Sequence, residues 1–221
     1  MAEVTPGGIV PEENLDAMIG GLGDPVFQTQ RLFRSIMDAM ARPGTIHAMK
    51  TDAQPPASIY PLTAAILATL ADADMPIWLE GRLSDNRTLT SWLTFHIGAP
   101  FAPEPDAASF AVLKGGKEMP ALDGFAKGTQ DYPDRSATLI IEVEVLRDMP
   151  KWFLSGPGIK EQNGLMVSDL APLFLSQWQD NQGIFPRGVD IIFVSREAIA
   201  CLPRTTRISL APPNASDKQE L

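Results

Sequence analysis

The sequence predicts an α/β layered fold with a mixed, largely parallel central sheet flanked by helices. Two observations lead to this prediction. Helix-like and strand-like segments alternate through much of the 221-residue chain, and such alternation is typical of layered α/β proteins. The strand-like runs are rich in β-branched and aromatic residues, as buried strands are. The length suits one domain, or at most two small ones, with a substantial core.

Four helices are predicted from apolar spacing and boundary residues. The first follows Asp24-Pro25, which read as an N-cap and a first helical residue, and Pro43-Gly44 ends it. The others span residues 58–71, 86–97 and 168–181. On the first helix, one predicted side is apolar: Leu32, Phe33, Ile36, Met37 and Met40. The opposite side is polar: Arg31, Arg34, Ser35, Asp38 and Arg42.

The strand-like runs are residues 76–80, 109–114, 136–146, 151–155 and 189–195. The closely spaced third and fourth runs predict an antiparallel hairpin inside the sheet.

Glycine and proline content sets the expected domain limits. Residues 1–23 predict a loose N-terminal arm with a short helical turn near 12–18. Residues 24–210 predict a single α/β domain, and residues 211–221 a tail that frays from it.

Composition excludes several classes of function. A formal net charge of −9 argues against a nucleic-acid coat or a binder of anionic membranes, because both require a basic surface. No apolar run is long enough to span a bilayer, and the N-terminus does not read as a signal peptide. The single cysteine, Cys201, rules out a disulfide framework within the chain and fits a reducing compartment. We therefore expect a cytoplasmic protein that binds neither nucleic acid nor membrane.

The first helix carries an unusual polar stripe. Arg34 and Asp38 are four residues apart, close enough for an ion pair, and Arg42 follows on the same side. One interpretation is an ordinary solvated helix face. The other is that the guanidinium groups face an anion or a partner protein, since arginine grips carboxylates and phosphates through two parallel hydrogen bonds.

Further candidates lie in loops. Gly156 and Gly158 directly follow a predicted strand, where glycine lets the backbone approach a ligand or simply make a tight turn. Three segments place an arginine near a proline at the edge of an element: 132–138, 185–190 and 202–208. Their arginines are Arg135, Arg187, Arg204 and Arg207. These arginines either line an anion site or pin loops to the domain.

No self-sufficient catalytic motif is visible. His47 and His96 lack a second ligand at metal-binding spacing, so no metal is predicted, and we expect surface or satisfied core histidines. Cys201 lies in an apolar run, which predicts a buried small residue rather than a nucleophile. The lysines lie in polar or glycine-rich surroundings, which do not favour an imine-forming lysine. We expect no cofactor.

Five segments together carry a resemblance to a known family. They are DPVFQTQRLFRSIMDAMARPGTI, GTQDYPDRSATLIIEV, LSGPGI, FPRGVDIIFV and LPRTTRI. In this order and spacing, from about Asp24 to Leu210, they resemble the PhnH family of the bacterial carbon–phosphorus lyase system.

The resemblance implies an α/β fold similar to that of PLP-dependent transferases, without the cofactor or its lysine. It also implies a homodimer that joins the G, I and J subunits in a core complex. That system transfers the ribose triphosphate part of ATP to methylphosphonate and releases adenine. The resemblance assigns no catalytic residue to this chain.

Three functions remain open. The chain is a subunit required for that transfer, with arginines that bind ATP or phosphonate; or it is a purely structural subunit whose arginines contact partners; or it is an independent PLP-type enzyme, which the missing lysine disfavours.

Overall fold

The computed structural model describes residues 19–211. Its helices are α1 (Pro25–Ala41), α2 (Pro61–Leu70), α3 (Gly81–Ser84), α4 (Arg87–Ile97) and α5 (Phe174–Gly183). Its strands are β1 (His47–Ala48), β2 (Ile77–Leu79), β3 (Phe110–Lys114), β4 (Thr138–Glu142), β5 (Leu146–Ser155), β6 (Asn163–Val167), β7 (Asp190–Val194), β8 (Ala198–Leu202) and β9 (Arg207–Ser209). Short 3-10 turns occupy Pro105–Ala107 and Leu122–Gly124.

The central sheet has six strands in the order β1-β8-β7-β4-β3-β2. Strands β2, β3, β4 and β7 run parallel, β8 pairs antiparallel with β7, and β1 pairs antiparallel with β8. The prediction of a mixed, largely parallel sheet flanked by helices is confirmed. A second sheet, β6-β5-β9, is antiparallel.

The two faces of the central sheet bury separate sets of side chains, because neighbouring residues of a strand point to opposite faces. Val112 and Ile140 pack into one cluster with the apolar residues of α1, α2 and α4. Leu113 and Ile141 pack into the other cluster, with the second sheet and α5. The molecule is thus built in layers on both sides of strands that are buried on both faces.

The predicted start of the first helix is confirmed, since the Asp24 side chain accepts a hydrogen bond from the Phe27 backbone N–H at 3.3 Å. Its predicted apolar side is partly wrong. Leu32 and Ile36 are buried, but Phe33 and Met37 are 48% and 52% exposed. The helix contacts the core along a narrow stripe, and these two side chains lie beside that stripe rather than in it.

The predicted hairpin of residues 136–146 and 151–155 is wrong. Strand β4 ends at Glu142 and pairs in parallel with β3 and β7. Strand β5 begins at Leu146 and belongs to the other sheet, where it pairs with β6 and β9. Closeness along the chain does not fix the pairing partner, and the few residues between the strands carry the chain from one layer to the next.

The helix predicted over 168–181 begins six residues later, at Phe174. Asp169 has a φ of +55°, a left-handed conformation that an α-helix does not contain. Pro172 and the end of β6 at Val167 also precede the helix. Strands β1, β6, β8 and β9 were not predicted at all.

Other expectations concern the chain termini and Cys201. The helical turn predicted near 12–18 lies outside the described residues. Gly20, within the predicted arm, accepts a hydrogen bond from the Gln54 backbone N–H at 2.7 Å. Cys201 is buried in β8, as predicted. Within residues 19–211, no helix is both long and apolar enough to cross a membrane.

Candidate functional site

Arg204 lies at the amino-terminal edge of the parallel strands and is 13% exposed in its side chain. Its Nε and one terminal nitrogen bind the Asp190 carboxylate, and its backbone N–H donates to the same group at 2.7 Å. The other terminal nitrogen donates to the carbonyls of Pro133 (2.9 Å) and Pro186 (3.2 Å). Ser136 Oγ accepts a further bond. All five guanidinium hydrogens have partners, so Arg204 ties loops together.

This network joins the three arginine-proline segments that the sequence singled out. Residues 132–138 contribute Pro133 and Ser136, residues 185–190 contribute Pro186 and Asp190, and residues 202–208 contribute Arg204. The pinning role, one of the two interpretations of these arginines, describes Arg204.

The two candidate glycines each lie against the backbone of another segment. A Cβ on Gly156 (φ +132°) would come within 2.9 Å of the Thr205 carbonyl oxygen. A Cβ on Gly158 (φ +83°) would come within 2.0 Å of the Ala41 carbonyl oxygen, at the end of α1. Both glycines therefore serve a close approach of two backbones.

The polar stripe of α1 divides into engaged and exposed residues. Arg42 forms an ion pair with Asp38, and Nδ1 of His47 lies 3.7 Å from the same carboxylate. Arg34 is exposed and makes no side-chain hydrogen bond or ion pair with the described residues.

The remaining candidate arginines are exposed. Arg135 stacks over the Tyr132 ring, with its guanidinium carbon 4.3 Å from the ring centroid. Arg187 and Arg207 have no side-chain hydrogen bond or ion pair within residues 19–211. Phe185, two residues before Arg187, is 62% exposed. These side chains present aromatic and cationic groups to solvent, a composition that protein interfaces favour.

A second polar cluster occupies the opposite, carboxyl-terminal edge of the parallel strands, where ligands bind in many α/β proteins. Lys114 ends β3, and its Nζ forms an ion pair with Glu142, which ends the neighbouring β4. The Tyr60 backbone N–H, at the start of α2, donates to Glu142 Oε1 at 2.6 Å. Glu80, directly after β2, accepts the backbone N–H of Lys114 at 2.7 Å. We call Tyr60, Glu80, Lys114, Glu142 and Arg196 the carboxyl-edge cluster.

Glu142 is the buried anchor of the carboxyl-edge cluster. It is 3% exposed, and a buried carboxylate is tolerated only when it is paired and hydrogen-bonded. Lys114 supplies the pairing charge, and the first turn of α2 supplies a backbone donor and the positive end of the helix dipole. Glu142 thereby fixes α2, β3 and β4 relative to one another.

Two cations flank the Tyr60 ring. Lys114 Nζ lies 5.1 Å and the Arg196 guanidinium carbon 5.0 Å from its centroid, within the range of cation–π attraction. Desolvation by partial burial, followed by the negative charge of Glu142, raises the pKa of the Tyr60 hydroxyl. The phenol therefore stays protonated and is available as a hydrogen-bond donor.

Sequence reasoning missed the carboxyl-edge cluster. The sequence patterns pointed to the lysines only as possible imine-forming residues, and they did not single out Tyr60, Glu142 or Arg196. A partial signal was present: Glu80 and Lys114 each stand at the end of a strand-like run, whereas Glu142 lies inside the run 136–146. The carboxyl ends of parallel strands meet at one edge, but the correct end of β4 had to be known to place Glu142 there.

A cavity of about 370 Å³ lies between α1, α2 and α4. Most of its lining is apolar, including Ala53, Ala64 and Trp92. His96 also lines it, and its Nε2 is buried without a hydrogen-bond partner among the described residues. No Lys, Arg, Asp or Glu side chain is among the lining residues, so the cavity is unsuited to a highly charged ligand.

The architecture defines a layered α/β protein with a pinned arginine network at one edge of its parallel strands and the carboxyl-edge cluster at the other. Comparison with known proteins supplies the family. The family model described as "Bacterial phosphonate metabolism protein (PhnH)" matches residues 20–209, and the chain belongs to this family.

Two curated relatives agree with this assignment. The chain is 44% identical over 191 residues to the "Alpha-D-ribose 1-methylphosphonate 5-triphosphate synthase subunit PhnH" of Rhizobium meliloti (strain 1021), which covers 86% of this chain and 94% of that protein. It is 31% identical over 181 residues to the "Putative C-P lyase subunit protein HtxG" of Stutzerimonas stutzeri, which covers 82% of this chain and 86% of that protein.

Proposed function

We propose that this chain is a subunit of a carbon–phosphorus lyase system, required with its partner subunits to transfer the ribose triphosphate part of ATP to methylphosphonate. The observation that carries the proposal is the 44% identity, over 94% of its length, to the Rhizobium meliloti protein named as a subunit of that synthase.

The named product defines the bond changes. Its methylphosphonate is attached at C1 of a ribose that carries a 5-triphosphate. If ATP is the donor, the bond from C1 to the adenine nitrogen breaks and a bond from C1 to a phosphonate oxygen forms. The bonding electrons leave with adenine, which takes up a proton. Adenine release is therefore the direct readout of the reaction.

The proposal includes partners. It assigns this chain to a homodimer that joins the G, I and J subunits, in the cytoplasm, where ATP is available. An exposed apolar strip on α1 supports a partner role: Phe33 and Met37 are 48% and 52% exposed, and the exposed Arg34 lies between them in sequence. Arginine beside exposed apolar side chains is typical of interface centres.

The proposal also includes a layering similar to that of PLP-dependent transferases, without the cofactor. The parallel central strands covered on both faces support this part. Lys114 is ion-paired with Glu142, whereas imine formation requires a neutral amine.

The alternative is a purely structural subunit without a ligand site. The inward engagement of Arg204 and the pairing of Arg42 with Asp38 favour this alternative, because these two arginines have their hydrogen bonds within the chain. Arg34, Arg135, Arg187 and Arg207 remain the arginines proposed for ligand or partner contacts.

Reconstitution with the G, I and J subunits tests the proposal. We expect methylphosphonate-dependent adenine release only when this chain is present. A second arm combines Phe33→Gln with Met37→Gln, and uses Arg87→Ala on the exposed surface of α4 as the control. Loss of co-purification in the double variant alone assigns α1 to a partner contact. Full activity of the complex without this chain refutes the proposed function.

A further inference from the structure

The geometry points to a ligand site in the carboxyl-edge cluster that takes the oxyanion of a phosphate or phosphonate, held by Arg196, the Tyr60 hydroxyl and the loop that follows β3. The anion chemistry of this site, though not its position, rests on the proposed function.

The positive groups of the cluster are reachable from solvent. The Lys114 side chain is 40% exposed, although its Nζ is paired with Glu142. Arg196 is exposed and forms no ion pair within residues 19–211. Its guanidinium group is held over the Tyr60 ring and keeps hydrogen-bond donors free for an incoming oxyanion. A planar guanidinium is well suited to two parallel bonds with a phosphate or phosphonate group.

Tyr60 completes the same side of the site. Its hydroxyl makes no hydrogen bond with the described residues, and protonated phenol donates to an anion. Its backbone N–H is fixed on Glu142, which also pairs with Lys114, so the ring and this lysine share one support.

The loop after β3 provides room for a ligand. Gly115 is held by the backbone: its N–H donates to the Glu142 carbonyl at 2.7 Å, and a Cβ there would lie 2.5 Å from the Asp169 carbonyl oxygen. Gly116, the next residue, has a φ of +151° and open space where a side chain would stand. Lys117 follows and is exposed. A glycine in open space beside two lysines lets an anion approach the backbone closely.

The carboxylates near the site restrict how much negative charge a bound ligand can carry. Glu142 and Glu80 are engaged by donors of the cluster, while Glu144 and Asp169 lie close enough to raise the pKa of Tyr60. Two carboxylates near one unpaired guanidinium oppose a polyanion such as a free triphosphate. The site therefore favours a single phosphate or phosphonate group, and hydrogen-bond donors elsewhere on the ligand would face the carboxylates.

The site is separate from the arginine and glycine segments that the sequence motifs pointed to, and it lies at the other edge of the sheet from Arg204. Ligand binding at the carboxyl-edge cluster does not involve the contacts of Arg204, so variants of the cluster test the site without disturbing the arginine network.

Isothermal titration of the full chain with methylphosphonate, inorganic phosphate and ATP tests the inference. We expect saturable binding of methylphosphonate or phosphate. Arg196→Ala is expected to weaken it about tenfold or more, because a bond to a charged group is lost, and Tyr60→Phe is expected to weaken it about threefold or more. The control is Arg147→Ala, an exposed arginine on β5, with no effect expected.

Four contrary results are distinguishable. Absence of saturable binding by both methylphosphonate and inorganic phosphate overturns the site, as does equal weakening by the Arg196 and Arg147 variants, which indicates diffuse electrostatics. ATP binding that is tighter than methylphosphonate and phosphate binding and is lost in Arg196→Ala also overturns the assignment to a single phosphate or phosphonate group. If the isolated chain binds no probe but the reconstituted complex still requires the chain for adenine release, the site fails and the proposed function stands. Arg196→Lys is expected to restore part of the affinity, which a loss caused by misfolding would not show.

Discussion

Replacing Arg204 with alanine is expected to destabilise the protein strongly. The side chain is 13% exposed and donates to the Asp190 carboxylate, to the Pro133 and Pro186 carbonyls and to Ser136. The truncation removes every one of these bonds and leaves Asp190, itself only 22% exposed in its side chain, without its counter-charge. An uncompensated buried charge is costlier than the loss of the bonds alone.

The magnitude follows from the burial of the pair. Breaking a fully buried ion pair by removing one partner costs about 3–5 kcal/mol, and we expect the lower end, about 3 kcal/mol, because Arg204 and Asp190 are partly buried. For a chain of this length, each 1 kcal/mol lowers the melting temperature by about 2–4 °C, so we expect a drop of roughly 6–12 °C. Arg204→Lys is expected to recover less than half of the loss, because an ammonium group cannot reach both carbonyls and the carboxylate at once.

Chemical unfolding in urea, followed by tryptophan fluorescence, measures this effect. Arg207→Ala is the matched control, since Arg207 is exposed on β9, and a change within about 0.5 kcal/mol is expected there. A double-mutant cycle with Asp190→Ala is expected to give a coupling of about 1 kcal/mol or more. If Arg204→Ala is no more destabilising than Arg207→Ala, the pinning role is wrong. If Arg204→Ala then abolished ligand binding without changing the free energy of unfolding, Arg204 would be assigned to a ligand contact.

Two further predictions concern packing and titration. Gly158→Ala is expected to lower the free energy of unfolding in urea by more than about 1 kcal/mol, because φ is +83° and the new methyl group would lie 2.0 Å from the Ala41 carbonyl oxygen. Gly124→Ala is the control, since no other atom lies within 4 Å of its Cβ position. Equal effects of the two changes would contradict the close approach. Burial raises the pKa of the Cys201 thiol, so the folded state disfavours the thiolate. The contribution of this thiol to the free energy of unfolding is therefore fully present below the unfolded-state pKa of about 8.5, and it falls by about 1.4 kcal/mol by pH 9.5. The difference between wild type and Cys201→Ala, measured at pH 7 and 9.5, isolates this contribution, and a pH-independent difference would argue against a buried thiol.

The central architecture was predictable because it rests on local patterns. Helix α1 begins where Asp24 and Pro25 predict it, and α4 begins at the cap that Asn86 provides. The parallel strands are continuous apolar runs, as strands buried on both faces are. Strands β6 and β9 lack such a run, and they pair only because β5 lies between them. Their position depends on tertiary contacts that no local window contains.

The predicted site residues show a similar limit. The sequence marked Arg204 through its neighbouring proline, and the structure shows its guanidinium group turned inward onto Asp190. Nothing in the local sequence distinguishes this arginine from Arg187, which is exposed. The direction of a loop arginine depends on whether a carboxylate lies within reach after folding, and Asp190 is supplied by the start of a different strand.

The segments that identify the family and the residues suited to bind a ligand need not coincide. The three arginine-proline segments meet through one side chain, and that side chain has no donor left for a substrate. Each residue of a hydrogen-bond network that joins three distant loops is needed for folding, whichever reaction the protein serves. The carboxyl-edge cluster is assembled instead from single residues at the ends of β2, β3 and β4, with Tyr60 and Arg196 from neighbouring loops. Its buried anchor is Glu142, and neither Arg196 nor the Tyr60 hydroxyl makes a hydrogen bond with the described residues, so both can meet a ligand. Substitutions at these two positions should therefore separate binding from folding, whereas those at Arg204 should change folding first.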